Sequence, residues 1–262
     1  MHQFICRFCS AKNCSSILDL KETALANSYV SKEKLFEEEY KYKLNLCVCN
    51  NCNLIQVNDS VPAEKIFSNY AYFSSSSTSL LKHSEEYVES MIKKFNIKTN
   101  SLVIEIASND GYLLQYFSKK GYDVLGIEPA SNIAKFAVES GIPTKNIFFT
   151  RDNAYKLAKD GINADLVVAN NVLAHVPDIN DFVSAFPLVL SKTGVLTFEF
   201  PHVLNLIKLA QFDTIYHEHF SYYSISVVEK ILNKHNLKIF DVQQITTHGG
   251  SLRIFVCHKN NK

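Results

Sequence analysis

The chain has 262 residues, 47% of them hydrophobic and 20% charged, which suits one large α/β domain or a medium domain with a small appendage and excludes wholesale disorder. A formal net charge of +1 lacks the basic excess of a duplex-binding protein, so nucleic acid is not expected as a partner. No apolar run reaches the roughly 18 residues of a spanning helix and the first residues lack a signal-peptide layout, so no membrane contact and a cytoplasmic location are expected.

Disulfides are unusual in that compartment, yet six of the seven cysteines precede residue 53. Cys6-x-x-Cys9 and Cys49-x-x-Cys52 can each place two thiolates on one tight turn. Two such turns give the tetrahedral four-sulfur set that suits Zn²⁺. Cys14, Cys47 and Cys257 are left over. Four thiolates leave no open position, so this zinc is expected to be structural and to supply folding energy to a segment with little core. Buried free thiols or redox pairs are the plainer alternative, although two redox pairs in one segment would be unusual.

A serine-rich stretch, Tyr70 to Ser79, follows the cysteine-rich segment. It marks the expected boundary between a zinc-binding domain, 1–68, and a second domain, 69–262. Apolar residues recur at helical spacing from Leu80 to Phe95. Beyond Asn100, short apolar runs (Leu102–Ile106, Val124–Ile127, Leu166–Ala169, Val195–Phe198) alternate with helix-like segments near 112–119, 131–140 and 180–191. This pattern predicts a mostly parallel sheet with helices on both faces. Two final strands, Leu237–Val242 and Leu252–Cys257, are joined too closely for a helical crossover and should be antiparallel.

The turn after Ile106 reads Ala107-Ser108-Asn109-Asp110-Gly111. With one glycine it is a poor pyrophosphate cradle, but it suits a ligand that lacks phosphates. Glu105 is costly in a buried apolar run unless paired, and the amino group of S-adenosylmethionine (SAM) would pair it. Glu128, before Pro129, stands where an acid accepts hydrogen bonds from ribose hydroxyls, a feature of NAD and SAM sites alike. The first turn favours SAM. The expected cofactor set is Glu105, Ala107, Ser108, Asn109, Gly111, Glu128 and Pro129, with Asn153 and Ala154 at the adenine and Asn170, Asn171 and His175 after the fourth strand. Each of the last group could also be a simple turn or cap residue.

Tyr216-His217-Glu218-His219 puts four titratable or hydrogen-bonding groups in four residues. An extended segment would share Tyr216 and Glu218 on one face and His217 and His219 on the other. A second metal site competes weakly, because the spacing is not HExxH. Purely structural loop contacts are the other alternative.

These stretches together resemble the SAM-dependent deoxysugar C-methyltransferases that carry an N-terminal zinc-binding domain. The resemblance runs from Cys6 to Arg253 through Tyr70-x-Tyr72, Glu105–Gly111, Asn171–Asp178, Phe198–His202, Tyr216–Ser224 and His248–Arg253. It implies a class I SAM-methyltransferase fold: a Rossmann-like doubly wound sheet ending in an antiparallel strand pair, plus a small zinc-binding domain. It further implies His219 as general base, Glu218 and Tyr216 positioning the acceptor, and Tyr70 or Tyr72 closing over the site. His202, Tyr222, His248 and Arg253 would surround the substrate, a nucleotide-activated sugar.

Full-length members of that family continue into a further α/β domain that helps hold the nucleotide-sugar, whereas this chain stops at Lys262. On that ground O-methylation of a sugar hydroxyl is slightly preferred, with C-methylation of a keto-deoxysugar nucleotide close behind. A second subunit could cover the open side, making a homodimer. The rival from another class is a non-catalytic zinc- and SAM-binding scaffold. A zinc-assisted RNA methyltransferase is disfavoured by the near-neutral charge.

Overall fold

A computed structural model describes residues 4–57, 61–62, 66 and 71–261. Its centre is a seven-stranded sheet in the order β10-β11-β8-β7-β4-β5-β6. The strands are β4 (Leu102–Ile106), β5 (Asp123–Ile127), β6 (Thr144–Lys145), β7 (Ala164–Asn170), β8 (Leu190–Pro201), β10 (Leu237–Ile245) and β11 (Ser251–His258). Strands β4 to β8 pair in parallel, and β11 runs antiparallel to both β8 and β10, as the short connection requires.

The central strands read as apolar runs because both faces are covered. Val103, Leu166 and Val168 face one side, where they meet Tyr87, Val88 and Met91 of α1 (Thr78–Phe95) and Leu114 and Phe117 of α2 (Leu114–Lys119). Ile104, Ile106, Val167 and Ala169 face the other. There they pack with α4 (Arg151–Lys159), α5 (Ile179–Val189) and α7 (Ile225–Lys234). Ser77 caps α1 by accepting from the Leu80 N–H at 3.3 Å, and Asn96 ends it at φ 49°. Helix α3 (Ser131–Glu139) follows β5, and α6 (Val203–Lys208) follows β8.

The cysteine-rich segment forms a second sheet, β1 (Cys14–Thr23), β2 (Tyr42–Cys49) and β3 (Ile55–Val57). β1 exposes nearly every residue, which is why it shows no alternation in the sequence. The fourth strand of this sheet is β9 (Ser221–Tyr222), which pairs Ile55 with Tyr222 and Gln56 with Ser221. A split at 68/69 therefore divides the sequence but not the sheet. Cys6, Phe8, Cys49, Cys52 and Leu54 also belong to the main core cluster. Among the described residues, no helix is long and apolar enough to cross a membrane.

Candidate active site

The two CxxC turns have the same local design. Ser10 N–H donates to Cys6 O and Asn53 N–H to Cys49 O, both at 2.9 Å, with Ser10 and Asn53 in the left-handed region. This folds each pair of thiols onto one side of its turn. Cys6 Sγ lies 3.5 Å from Cys52 Sγ, Cys9 Sγ lies 3.5 Å from Cys49 Sγ, and all four atoms fall within 4.8 Å of one another. A tetrahedron with Zn–S bonds of about 2.3 Å has edges of about 3.8 Å, so the four thiols fit Zn²⁺ without rearrangement. Cys14, Cys47 and Cys257 are free and stand outside this group.

A cavity of about 770 Å³ opens at the carboxyl ends of β4, β5 and β7. It is at the upper end of the range for small-molecule sites and has room for more than one ligand. The turn after β4 holds Ala107 at φ 55°, Asn109 at φ 47° and Gly111 at φ 80°. These left-handed residues wrap the backbone tightly around the cavity end. Glu128 is 5% exposed and lies on the wall. Its Oε2 accepts from Asn109 N–H at 3.0 Å and its Oε1 from Ala130 N–H at 2.8 Å. Burial raises its pKa, against the pull of these two donors. Both oxygens are thus oriented and keep lone pairs for ribose hydroxyls. Asn109 also accepts Ser74 N–H through Oδ1 at 2.8 Å and donates to Tyr72 O at 3.1 Å, which ties the serine-rich stretch over the turn.

Ala107, Pro129, Asn170, Asn171 and His175 line the cavity. The Oδ1 atoms of Asn170 and Asn171 are buried without a hydrogen-bond partner. They are acceptors for a ligand ammonium or hydroxyl. The donor set therefore fits SAM. Glu105 and Ser108 are buried one layer back, and Gly111 meets Ile142, which a Cβ would approach to 2.8 Å. Burial holds the Glu105 carboxyl well above the usual range. Asn153 and Ala154 are not on the wall: Ala154 is packed in the core and the Asn153 amide donates to Phe148 O at 3.0 Å. Thr150 caps α4 by accepting from the Asn153 N–H at 3.2 Å, which places Asn153 and Ala154 inside the helix, so Phe148, Phe149 and Thr150 face the cavity instead.

Tyr216–His219 is a turn, not an extended segment: His219 N–H donates to Tyr216 O at 3.1 Å. The expected two-face arrangement is therefore replaced by a direct pairing of Tyr216 with His219. His219 Nδ1 lies 3.0 Å from the Thr214 carbonyl, an obligate acceptor, so the proton sits on Nδ1. Nε2 then accepts from the Tyr216 hydroxyl at 2.9 Å. Burial pushes the His219 pKa down to about 4, with His248 lowering it further and the Thr214 carbonyl opposing. Burial, then Glu218, raises that of Tyr216. Both are neutral at pH 7 and both line the cavity, with Tyr72, Tyr222 and His248.

His217 turns away, its Nε2 3.2 Å from Tyr42 O. Glu218 lies behind the wall, 3% exposed, where its Oε1 accepts from the Asn27 amide at 2.6 Å. Ile215 and Phe220, at the two ends of the turn, are buried with Leu44, Leu46 and Val57 of the zinc lobe. Tyr70 lies outside the described residues. Two expected substrate residues are absent from the wall. His202 stands at the start of α6, and Arg253 Nε donates to buried Glu199 Oε1 at 2.6 Å, its charge spent within the fold. Asn27 is on the wall, and its isolated place in a polar loop gave no signal in the sequence.

Sheet order and the acid after β5 define the class I SAM-dependent methyltransferase fold. Residues 80–242 match the family model described as "Methyltransferase domain", and residues 6–67 match one described as "Putative zinc binding domain". The chain belongs to this methyltransferase family and carries an N-terminal zinc-binding domain. It is 30% identical over 250 residues to C-methyltransferase NovU of Streptomyces niveus, a match that spans 95% of this chain and 60% of that protein. A ubiquinone biosynthesis O-methyltransferase of Bartonella tribocorum is 26% identical over 98 residues, 37% of this chain and 40% of that one. Magnesium protoporphyrin IX methyltransferase of Synechocystis PCC 6803 with bound SAH superposes with TM-score 0.53 at 16% identity, covering 68% of this chain and 84% of that chain. A SAM-dependent methyltransferase of Clostridium acetobutylicum gives 0.55 at 13%, covering 68% and 92%. At these identities the structural likeness is one of fold.

Proposed function

We propose that the chain transfers the methyl group of SAM to a nucleotide-activated sugar, with His219 as the base. The observation that carries this reading is the Tyr216 hydroxyl held 2.9 Å from the unprotonated Nε2 of His219, on the wall of the cavity that Glu128 also lines. SAM, when bound, supplies an electrophilic sulfonium methyl. Glu128 orients its ribose, and Asn170 and Asn171 offer acceptors to its amino-acid end. A proton leaving the acceptor passes to Nε2 through the Tyr216 oxygen. Because the imidazole is desolvated, it holds that proton only transiently and stays available near neutral pH.

The same pair serves two acceptors. Methylation at carbon removes a proton beside a carbonyl, and methylation at oxygen removes a hydroxyl proton. The expected preference for oxygen rested on where the chain ends, and that end says nothing about the acceptor atom. The match to a C-methyltransferase over 95% of this chain favours carbon, on a keto-sugar nucleotide. The test is incubation of the zinc-loaded chain and SAM with a panel of UDP- and dTDP-hexoses, 4-keto forms included, read by mass for a 14 Da gain. NMR of the product then locates the methyl: attachment to oxygen restores the O-methyl reading. SAM binding without transfer to any member of the panel makes the chain a scaffold instead.

A further inference from the structure

Asn27 sits in the excursion between β1 and β2, 191 residues before the side chain it bonds. It lies on the cavity wall, while its partner Glu218 lies behind it, buried. A carboxylate only accepts, so the contact fixes which end of the amide points inward: Nδ2 faces Glu218. The second Nδ2 hydrogen and Oδ1 then remain, a donor and an acceptor side by side on a planar group held in one orientation. That pairing matches a sugar hydroxyl, or two neighbouring hydroxyls, each of which both donates and accepts.

We propose that Asn27 is an acceptor-binding residue supplied by the zinc lobe, oriented by Glu218. This rests on the sugar reading above. The turn that holds Glu218 also holds the Tyr216–His219 pair, so the amide that grips the sugar and the base that deprotonates it share one short segment. Ile215 and Phe220 anchor that segment in the zinc-lobe core. The zinc lobe thus completes the acceptor site rather than merely extending the fold.

The test uses the full zinc-loaded chain and whichever member of the UDP- and dTDP-hexose panel gains 14 Da. Asn27 is itself exposed on the wall, so Asn27→Ala should raise KM for that sugar about 10-fold, the loss of one or two neutral hydrogen bonds, with kcat changed far less. SAM affinity and zinc content should stay at wild-type values; Tm should fall, because buried Glu218 loses the Asn27 donor, and KM is therefore read well below the variant's Tm. Glu218→Gln keeps an acceptor oxygen and should raise KM less than Glu218→Ala. Asn27→Ala combined with Glu218→Ala should raise KM no further than Asn27→Ala alone, because both act through one contact. Transfer to a sugar with KM unchanged in Asn27→Ala overturns the assignment and leaves the methyltransferase reading standing. Absence of transfer to every sugar in the panel overturns the reading itself, and the assignment with it.

Discussion

His219 shows how position sets chemistry at the scale of a residue. Its Nδ1 donates to the Thr214 carbonyl and its Nε2 accepts from the Tyr216 hydroxyl, so Nε2 is the unprotonated nitrogen. His219→Ala should abolish transfer, measured by the 14 Da product, while SAM affinity by calorimetry stays intact; unchanged turnover would remove the base assignment. With a pKa of about 4, the base stays deprotonated well below the ordinary histidine range. The acid limb of kcat/KM should therefore lie below pH 6. Glu128 carries the other end of the site. Glu128→Ala strands the Asn109 and Ala130 N–H donors and should weaken SAM binding about 10- to 100-fold by calorimetry. Glu128 stands out in the sequence because it directly ends a recognisable strand, whereas His219 is singled out only through the family resemblance. The pairing of Tyr216 with His219 is not legible, since four polar residues carry no periodicity that tells a turn from a strand. Asn153 and Ala154 failed for a related reason: the onset of α4 depends on the Thr150 cap, and one turn decides which side chains face the cavity.

At the scale of elements, the sequence named the parallel core strands because burial on both faces leaves continuous apolar runs. It hid β1, which is exposed, and β9, which is two residues long. Yet β9 closes the zinc-lobe sheet and joins the lobe to the Tyr216–His219 turn. Zinc removal with a strong chelator should therefore lower Tm and abolish transfer together, with metal content followed by elemental analysis; a lobe that lost zinc but kept full activity would contradict this coupling. Strands β8 and β11 are joined by Glu199 and Arg253, both buried, with His83 Nε2 2.9 Å from the Glu199 carboxylate. His83 and Arg253 hold that carboxyl below its usual pKa although burial opposes them. Arg253→Ala leaves a buried, under-paired charge and should cost about 3–5 kcal/mol in denaturant unfolding, with little change in SAM affinity. That pair explains why Arg253 does not line the cavity: its charge is paired with Glu199 between two buried strands.

For the whole molecule, the cavity end gathers histidines that burial keeps neutral. His175 is pushed down to about 3 and His219 to about 4, both chiefly by desolvation. Their unfolded values are near 6.5, so between pH 6.5 and 4 the unfolded chain binds more protons and is favoured. Stability should be complete above pH 6.5 and fall below it by up to about 1.4 kcal/mol per pH unit for each histidine, measured as Tm or denaturant midpoint against pH. Replacing His175 with Asn should flatten that slope. The sequence by itself determined the α/β class and the four cysteines of the zinc site, because patterning and motif spacing are local and survive in one dimension. Only the tertiary structure decided which of the candidate acids and bases face one cavity, that a zinc-lobe strand pairs with residues beyond position 220, and that Asn27 meets Glu218. Those contacts join residues far apart in the chain, and packing, which no local pattern encodes, brings them together.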